Sequence, residues 1–215
     1  MIVFHFIVDI NFFGAGRVDV YSSFWLLFAR ITAGMFIFLV GVSMTLSYSR
    51  AAKNSKNLFL KYFRRGVYIL ALGLVLTLAS WIFIPSCYII FGVLHFIGVS
   101  IILSFFFIRF RYLNLILGVV IIIAGSYFLA VSSQYLLWLA PYCFCSLDYF
   151  PLFPWFGLVL LGIFFGKLVY PNGKGRIRHV NHPFVGFFTM LGRRSLVIYL
   201  LHQPILIAIL YAFML

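Results

Sequence analysis

Long unbroken runs of apolar residues alternate along this chain with short polar stretches, and every second polar stretch is basic. A membrane span takes roughly 20 apolar residues, about 17 to 25. That measure predicts helices over 24–47, 66–84, 88–108, 113–131, 152–170 and 194–214. A further run, 1–14, opens the chain. At 1.5 Å per residue it reaches only about 21 Å, short of a hydrocarbon core about 30 Å thick. The pattern predicts an all-α, polytopic transmembrane bundle, with six full spans and a shortened first helix in one domain over 1–215.

The charges order these spans across the bilayer. The 49–65 connection carries Arg50, Lys53, Lys56, Lys61, Arg64 and Arg65. Arg109 and Arg111 follow the fourth helix, and Lys174, Arg176, Arg178 and Arg193 precede Arg194 at the start of the last one. The other connections, 15–23, 85–87 and 132–151, hold a single basic residue, Arg17. Lys and Arg accumulate on the cytoplasmic side, so the basic connections are expected inside and the carboxyl end outside. The aromatic 132–151 stretch is then an outer loop lying in the interface or folding back over the bundle. The run Pro183 to Leu191 is too short to span and is expected as an interfacial segment leading into the last helix. Gly162 and Gly166 form a small-xxx-small pair suited to close helix packing. No inverted internal repeat of the kind found in many transporters is visible.

Composition narrows the class. Apolar residues make up 65% and charged residues 9% of the 215, against about half and about a quarter in soluble domains. The net charge of +13 would fit a nucleic-acid binder, but the cations flank apolar runs instead of covering a soluble face, so nucleic acid is not an expected partner. The expected surroundings are the lipid bilayer. Three cysteines, Cys87, Cys143 and Cys145, are too few for a disulfide framework, although one of the last two is placed to pair with Cys87. His179 and His182 lack neighbouring ligand residues, so no metal is expected.

Ionisable groups inside a span are costly and point to function by default. Five fall there: His5, Asp9, Arg30, His95 and His202. His5 and Asp9 are four apart and share a helix face, so the carboxylate is placed to orient the imidazole as a general base; a structural hydrogen-bonded pair is the alternative. Arg30 sits at about the depth of Asp9, about 9 Å against about 7 Å below the outer end. A buried ion pair locking the first two helices is the first expectation, and a grip on an anionic substrate group the second. His95 stands between Gly92 and Gly98, where backbone or ligand can approach closely, or where it bonds a neighbouring helix. His202 precedes Pro204, which frees a carbonyl near position 200, so His202 has a structural as well as a chemical reading. By depth the three histidines are expected to converge in one cavity. Arg64, Arg65, Arg176, Arg178, Arg193 and Arg194 are candidates for receiving a polyphosphate, though topology and lipid headgroups are the first explanation for them.

Several stretches in order carry a resemblance. They are Met1-Ile-Val-Phe-His5-Phe-Ile-Val-Asp9, Phe36-Ile-Phe-Leu-Val-Gly41-Val-Ser43, Phe91-Gly-Val-Leu-His95-Phe-Ile-Gly98, Asp148-Tyr-Phe-Pro151-Leu-Phe-Pro154-Trp155, and Leu191-Gly-Arg-Arg-Ser195-Leu-Val-Ile-Tyr199-Leu-Leu-His202. Over nearly its whole length the chain resembles the prokaryotic membrane family grouped with the heparan-alpha-glucosaminide N-acetyltransferase catalytic domain. The resemblance implies transfer of an acetyl or acyl group from cytoplasmic acyl-CoA to an amine or hydroxyl, on a sugar or envelope glycan, at the outer face. Combined with the intramembrane and basic residues above, the leading expectation gives catalytic roles to His5, Asp9, His95 and His202, sets Arg30, Asp148 and Trp155 against substrate, and sets Arg64, Arg65, Arg193 and Arg194 against the CoA phosphates. His5 matches the histidine in the first helix of the broader membrane acyltransferases. The histidine that the animal heparan enzyme carries before its second span has no counterpart in Val18 to Phe24. Relatives begin with a cytoplasmic stretch before the first helix, whereas Met1 here falls mid-helix. A misassigned or truncated start is therefore expected, to be checked in the DNA upstream of Met1. The competing expectations are a small-molecule or lipid transporter with a histidine proton relay, and a structural subunit. A homo-oligomer is left open.

Overall fold

The computed structural model of the chain describes residues 1–14, 18–20, 22–52, 57–131, 146–171 and 183–214. Among them the helices run α1 (Ile2–Phe12), α2 (Ser23–Ala51), α3 (Leu58–Phe83), α4 (Val93–Phe107), α5 (Tyr112–Val131), α6 (Leu152–Val169), α7 (Pro183–Arg193) and α8 (Ser195–Met214). Four are long and apolar enough to cross a membrane: Ser23–Ala51, Leu58–Phe83, Leu152–Val169 and Ser195–Phe213. Ile2–Phe12 and Val93–Phe107 are shorter apolar helices, and α5 is apolar over Tyr112–Tyr127. Four helices meet the length criterion among the described residues.

Two boundaries differ from the sequence expectation, each for a local reason. Helix α3 begins at Leu58, so Lys61, Arg64 and Arg65 lie on its first turns and not in a loop. Lys and Arg are good helix formers, and the single Gly66 that follows them is buried inside the continuous helix. Helix α4 begins at Val93, not at 88. Residues 87–91 instead spend their backbone groups on 146–150. Leu147 N donates to Cys87 O (3.3 Å), Phe150 N to Phe91 O (2.9 Å) and Ile90 N to Ser146 Oγ (3.3 Å), with a parallel bridge between Phe91 and Tyr149. The Asp148 carboxylate then accepts the Val93 backbone N–H at 2.9 Å, capping α4 from across the loop. Cys87 is disulfide-bonded; Cys143 and Cys145 lie outside the described residues, as do Arg17, Lys53, Lys56, Lys174, Arg176, Arg178, His179 and His182.

The chain divides into two compact units, Met1–Ala33 with Ile177–Leu215, and Gly34–Arg176. In the second unit α3 packs on α4, α5 on α6, and α4 on α6. Most of α4 is buried, including His95, Ser100 and Ser104. Where α2 crosses α6, Gly41 faces the Val159 carbonyl, and Gly162 faces the Phe38 carbonyl. A side chain at either position would occupy the place of that backbone. Thr45 Oγ bonds its own Gly41 carbonyl (3.2 Å) and reaches the Ile163 carbonyl (3.3 Å) across the crossing. Without a hydrophobic drive between helices in lipid, such close backbone approach and cross-helix bonds hold them together. The pairing read from Gly162 and Gly166 is therefore present, with Gly41 as its partner on α2.

In the first unit α1 packs on α8, and α7 joins α8 through Arg194. The predicted segment from Pro183 is helix α7, with Val185, Phe187, Phe188 and Met190 exposed. The Asn11 side chain closes the end of α1, bonding both the N–H and the carbonyl of Val18.

Candidate functional site

The polar groups of α1 and α8 meet inside the first unit. His5 and Asp9 lie one helical turn apart on α1, and His202 and Gln203 are neighbours on α8. The His5 and His202 rings stand edge to face, centroids 5.0 Å apart at 63°. Asp9, 6% exposed, takes its hydrogen bond from α8: Gln203 Nε2 donates to Oδ1 at 2.8 Å. Because the carboxylate only accepts, this bond also fixes which end of the Gln203 amide is nitrogen.

His202, 9% exposed, has one committed nitrogen. Its Nδ1 lies 2.6 Å from the Tyr199 carbonyl. A carbonyl accepts only, so Nδ1 carries the proton and neutral His202 holds its lone pair on Nε2. Proline at 204 had suggested that His202 serves the carbonyl freed at Leu200; it serves the one at Tyr199, one residue earlier. Three buried atoms of this cluster have no hydrogen-bond partner among the described residues: Asp9 Oδ2, His202 Nε2 and Gln203 Oε1.

The expected ion pair between Asp9 and Arg30 is not formed. Arg30 is exposed, and Asp9 bonds the Gln203 amide instead. Equal depth along two helices does not decide which faces meet. A neutral donor also satisfies the carboxylate without burying a second charge, whose desolvation is costly. Gln203 was absent from the sequence reading, which weighed only ionisable groups. Applying the same test to every hydrogen-bonding side chain in the last span would have found it.

His95 belongs to the second unit, where it has its own partners. Thr77 Oγ donates to the Ile89 carbonyl at 2.8 Å, which leaves its oxygen to accept from His95 Nε2 at 3.4 Å. The ring lies under Gly73, where a Cβ would stand 3.0 Å from His95 Nδ1 and Cε1, and beside Phe91 at 5.7 Å. Nδ1 is buried without a partner among the described residues. The structure brings His5, Asp9 and His202 together within the first unit, and His95 has partners of its own within the second. Asp148 caps α4, two residues before His95. Trp155 packs against Phe150, centroids 5.1 Å apart with the rings tilted by 56°.

Among the cations, Arg64 and Arg65 are exposed on α3, and Arg193 and Arg194 are exposed where α7 meets α8. Beside the start of α3 an open cleft of about 340 Å³ is lined by Asn57 to Leu60, Phe105 and Arg109. Arg109 Nε donates to Tyr48 Oη (3.4 Å), and Lys167 Nζ donates to the Arg109 carbonyl (2.7 Å). Lys167, on α6, was also missed in the sequence.

The family model described as "Heparan-alpha-glucosaminide N-acetyltransferase, catalytic" matches residues 1–204. The chain belongs to this family. Neither the curated proteins nor the solved structures supply a match. In this family member the match runs from the first residue through His5, Asp9, His95, Asp148 and His202 to Gln203 and Pro204, so the α1–α8 cluster lies inside the matched region.

Proposed function

We propose that the protein is a membrane acyltransferase that moves an acetyl or acyl group from acyl-CoA to an amine or hydroxyl acceptor. Family membership over 1–204 supports acyl transfer. The observation that carries the reading to a place in the molecule is the buried cluster of Asp9, His202 and Gln203 beside His5, because transfer to an N–H or O–H requires a group that takes a proton. His5 stays in the proposal as a neighbour of His202, Asp9 as the carboxylate of the cluster, and His95 as an assisting group. Arg30, Asp148 and Trp155 are proposed to face substrate, and the exposed Arg64, Arg65, Arg193 and Arg194 to meet the CoA phosphates by charge. Six passes, cytoplasmic basic connections, an outer carboxyl end and an acceptor on a glycan at the outer face complete the reading. Surrounding lipid would limit hydrolysis of the thioester.

The deciding experiment measures acetyl-CoA binding and acetyl transfer by detergent-purified protein, together with flux in proteoliposomes. Saturable binding with transfer to an amine is expected. A folded protein that binds no acetyl-CoA but carries a pH-dependent flux would replace this reading with a transporter.

A further inference from the structure

The three partnerless buried atoms in the first unit share one chemistry. Asp9 Oδ2 is a carboxylate oxygen, Gln203 Oε1 is an amide carbonyl oxygen, and His202 Nε2 is the lone-pair nitrogen of the tautomer set by Tyr199. All three accept hydrogen bonds. Each is held in place by the bond its other end makes: Gln203 to Asp9 Oδ1, and His202 Nδ1 to the Tyr199 carbonyl. Asp9 and His202 are both more than nine-tenths buried. Buried polar atoms are nearly always bonded, and leaving an acceptor unmade costs its full desolvation. A built cluster of acceptors calls for a donor.

We infer that Asp9, His202 and Gln203 form the binding site for the N–H or O–H group of the acyl acceptor, with His202 Nε2 as the atom that takes its proton. The inference rests on the acyl-transfer reading and reassigns its base from His5, whose ring meets Phe4 and His202 edge to face. In the reaction the acceptor's nitrogen or oxygen attacks the thioester carbonyl carbon while its proton moves to His202 Nε2. The new C–N or C–O bond forms, the C–S bond breaks, and the proton passes from Nε2 to the leaving sulfur, giving the acylated product and free CoA thiol. Asp9 Oδ2 accepts a second N–H of a neutral primary amine, and Gln203 positions that carboxylate. An acceptor offering several N–H or O–H donors matches a site with three acceptors.

The test uses the protein in lipid nanodiscs, labelled with ¹⁵N-histidine and ¹³C-carbonyl tyrosine. The contact to the labelled Tyr199 carbonyl identifies His202 without a mutation. Solid-state NMR is expected to show Nδ1 protonated and Nε2 bare, and added glucosamine is expected to shift Nε2. In acetyl transfer from acetyl-CoA to glucosamine, His202→Asn keeps a donor for the Tyr199 carbonyl but has no base. Its kcat is expected to fall about 100-fold or more with KM for acetyl-CoA unchanged, while His5→Asn loses less than about tenfold. A His202 protonated on Nε2 alone, an Nε2 that ignores glucosamine, or a His202→Asn enzyme with wild-type kcat would overturn the assignment. Wild-type protein that shows the tautomer and the glucosamine shift but no acetyl transfer would sink the acyl-transfer reading and leave the donor site standing.

Discussion

Gln203 decides how Asp9 is tolerated among apolar residues. Its amide gives the carboxylate a bond at 2.8 Å, and bonds to charged groups contribute about 1.5–3 kcal/mol. Gln203→Leu is therefore expected to lower stability by about that amount, read as a lower midpoint of unfolding in detergent. Asp9→Asn combined with Gln203→Leu should recover part of the loss, because the buried charge is then gone; a double variant no more stable than the single one would contradict this account. At His95, Gly73→Ala puts a methyl 3.0 Å from the ring, and the expected result is a shifted His95 and a loss of about 1–3 kcal/mol from overpacking. The candidates themselves were legible in the sequence, since ionisable residues inside spans stand out by type. Their partners were not. Depth can be counted along a helix, but azimuth is set by packing, which is why Arg30 was matched to Asp9 and Gln203 was missed.

At the scale of elements, the α2–α6 crossing gives an asymmetric expectation. Gly162→Val drives a side chain into the Phe38 backbone carbonyl, which cannot move without moving α2. Gly166→Ala meets the Thr45 side chain at 2.9 Å, which can turn aside. Folded yield after size-exclusion chromatography should collapse for the first and fall modestly for the second. The pairing of 87–91 with 146–150 makes a different prediction. Asp148→Ala removes the cap of α4 and should cost about 0.5–2 kcal/mol. Nearby, burial pushes the Tyr149 phenol from 10.0 up to about 12. Its neutral form is favoured by folding, so the stability it contributes is present below pH 10 and lost as pH rises towards 12. The difference in phenolate absorbance between wild type and Tyr149→Phe should show a titration above pH 10; one centred at or below 10 would refute the burial. The small-residue pair on α6 was readable because its spacing is local. The late start of α4 was not, because the groups that displace helix there come from 55 residues further on.

For the molecule as a whole, the alternation of basic and uncharged connections makes a testable map. Lys61→Cys should react with a membrane-impermeant thiol reagent only from the cytoplasmic side, and Leu147→Cys only from outside; the reverse pattern would invert the proposed topology. Membrane residence, helical class and family are determined by the sequence alone, since each depends on the composition of continuous runs or on residues in fixed order. Apolar length selects a span, and basic residues mark its ends, with no need to know what packs against what. Only the tertiary structure decides which acceptors share one buried site. A hydrogen bond such as that from Gln203 to Asp9 joins residues 194 positions apart, and its existence depends on which faces of two helices meet.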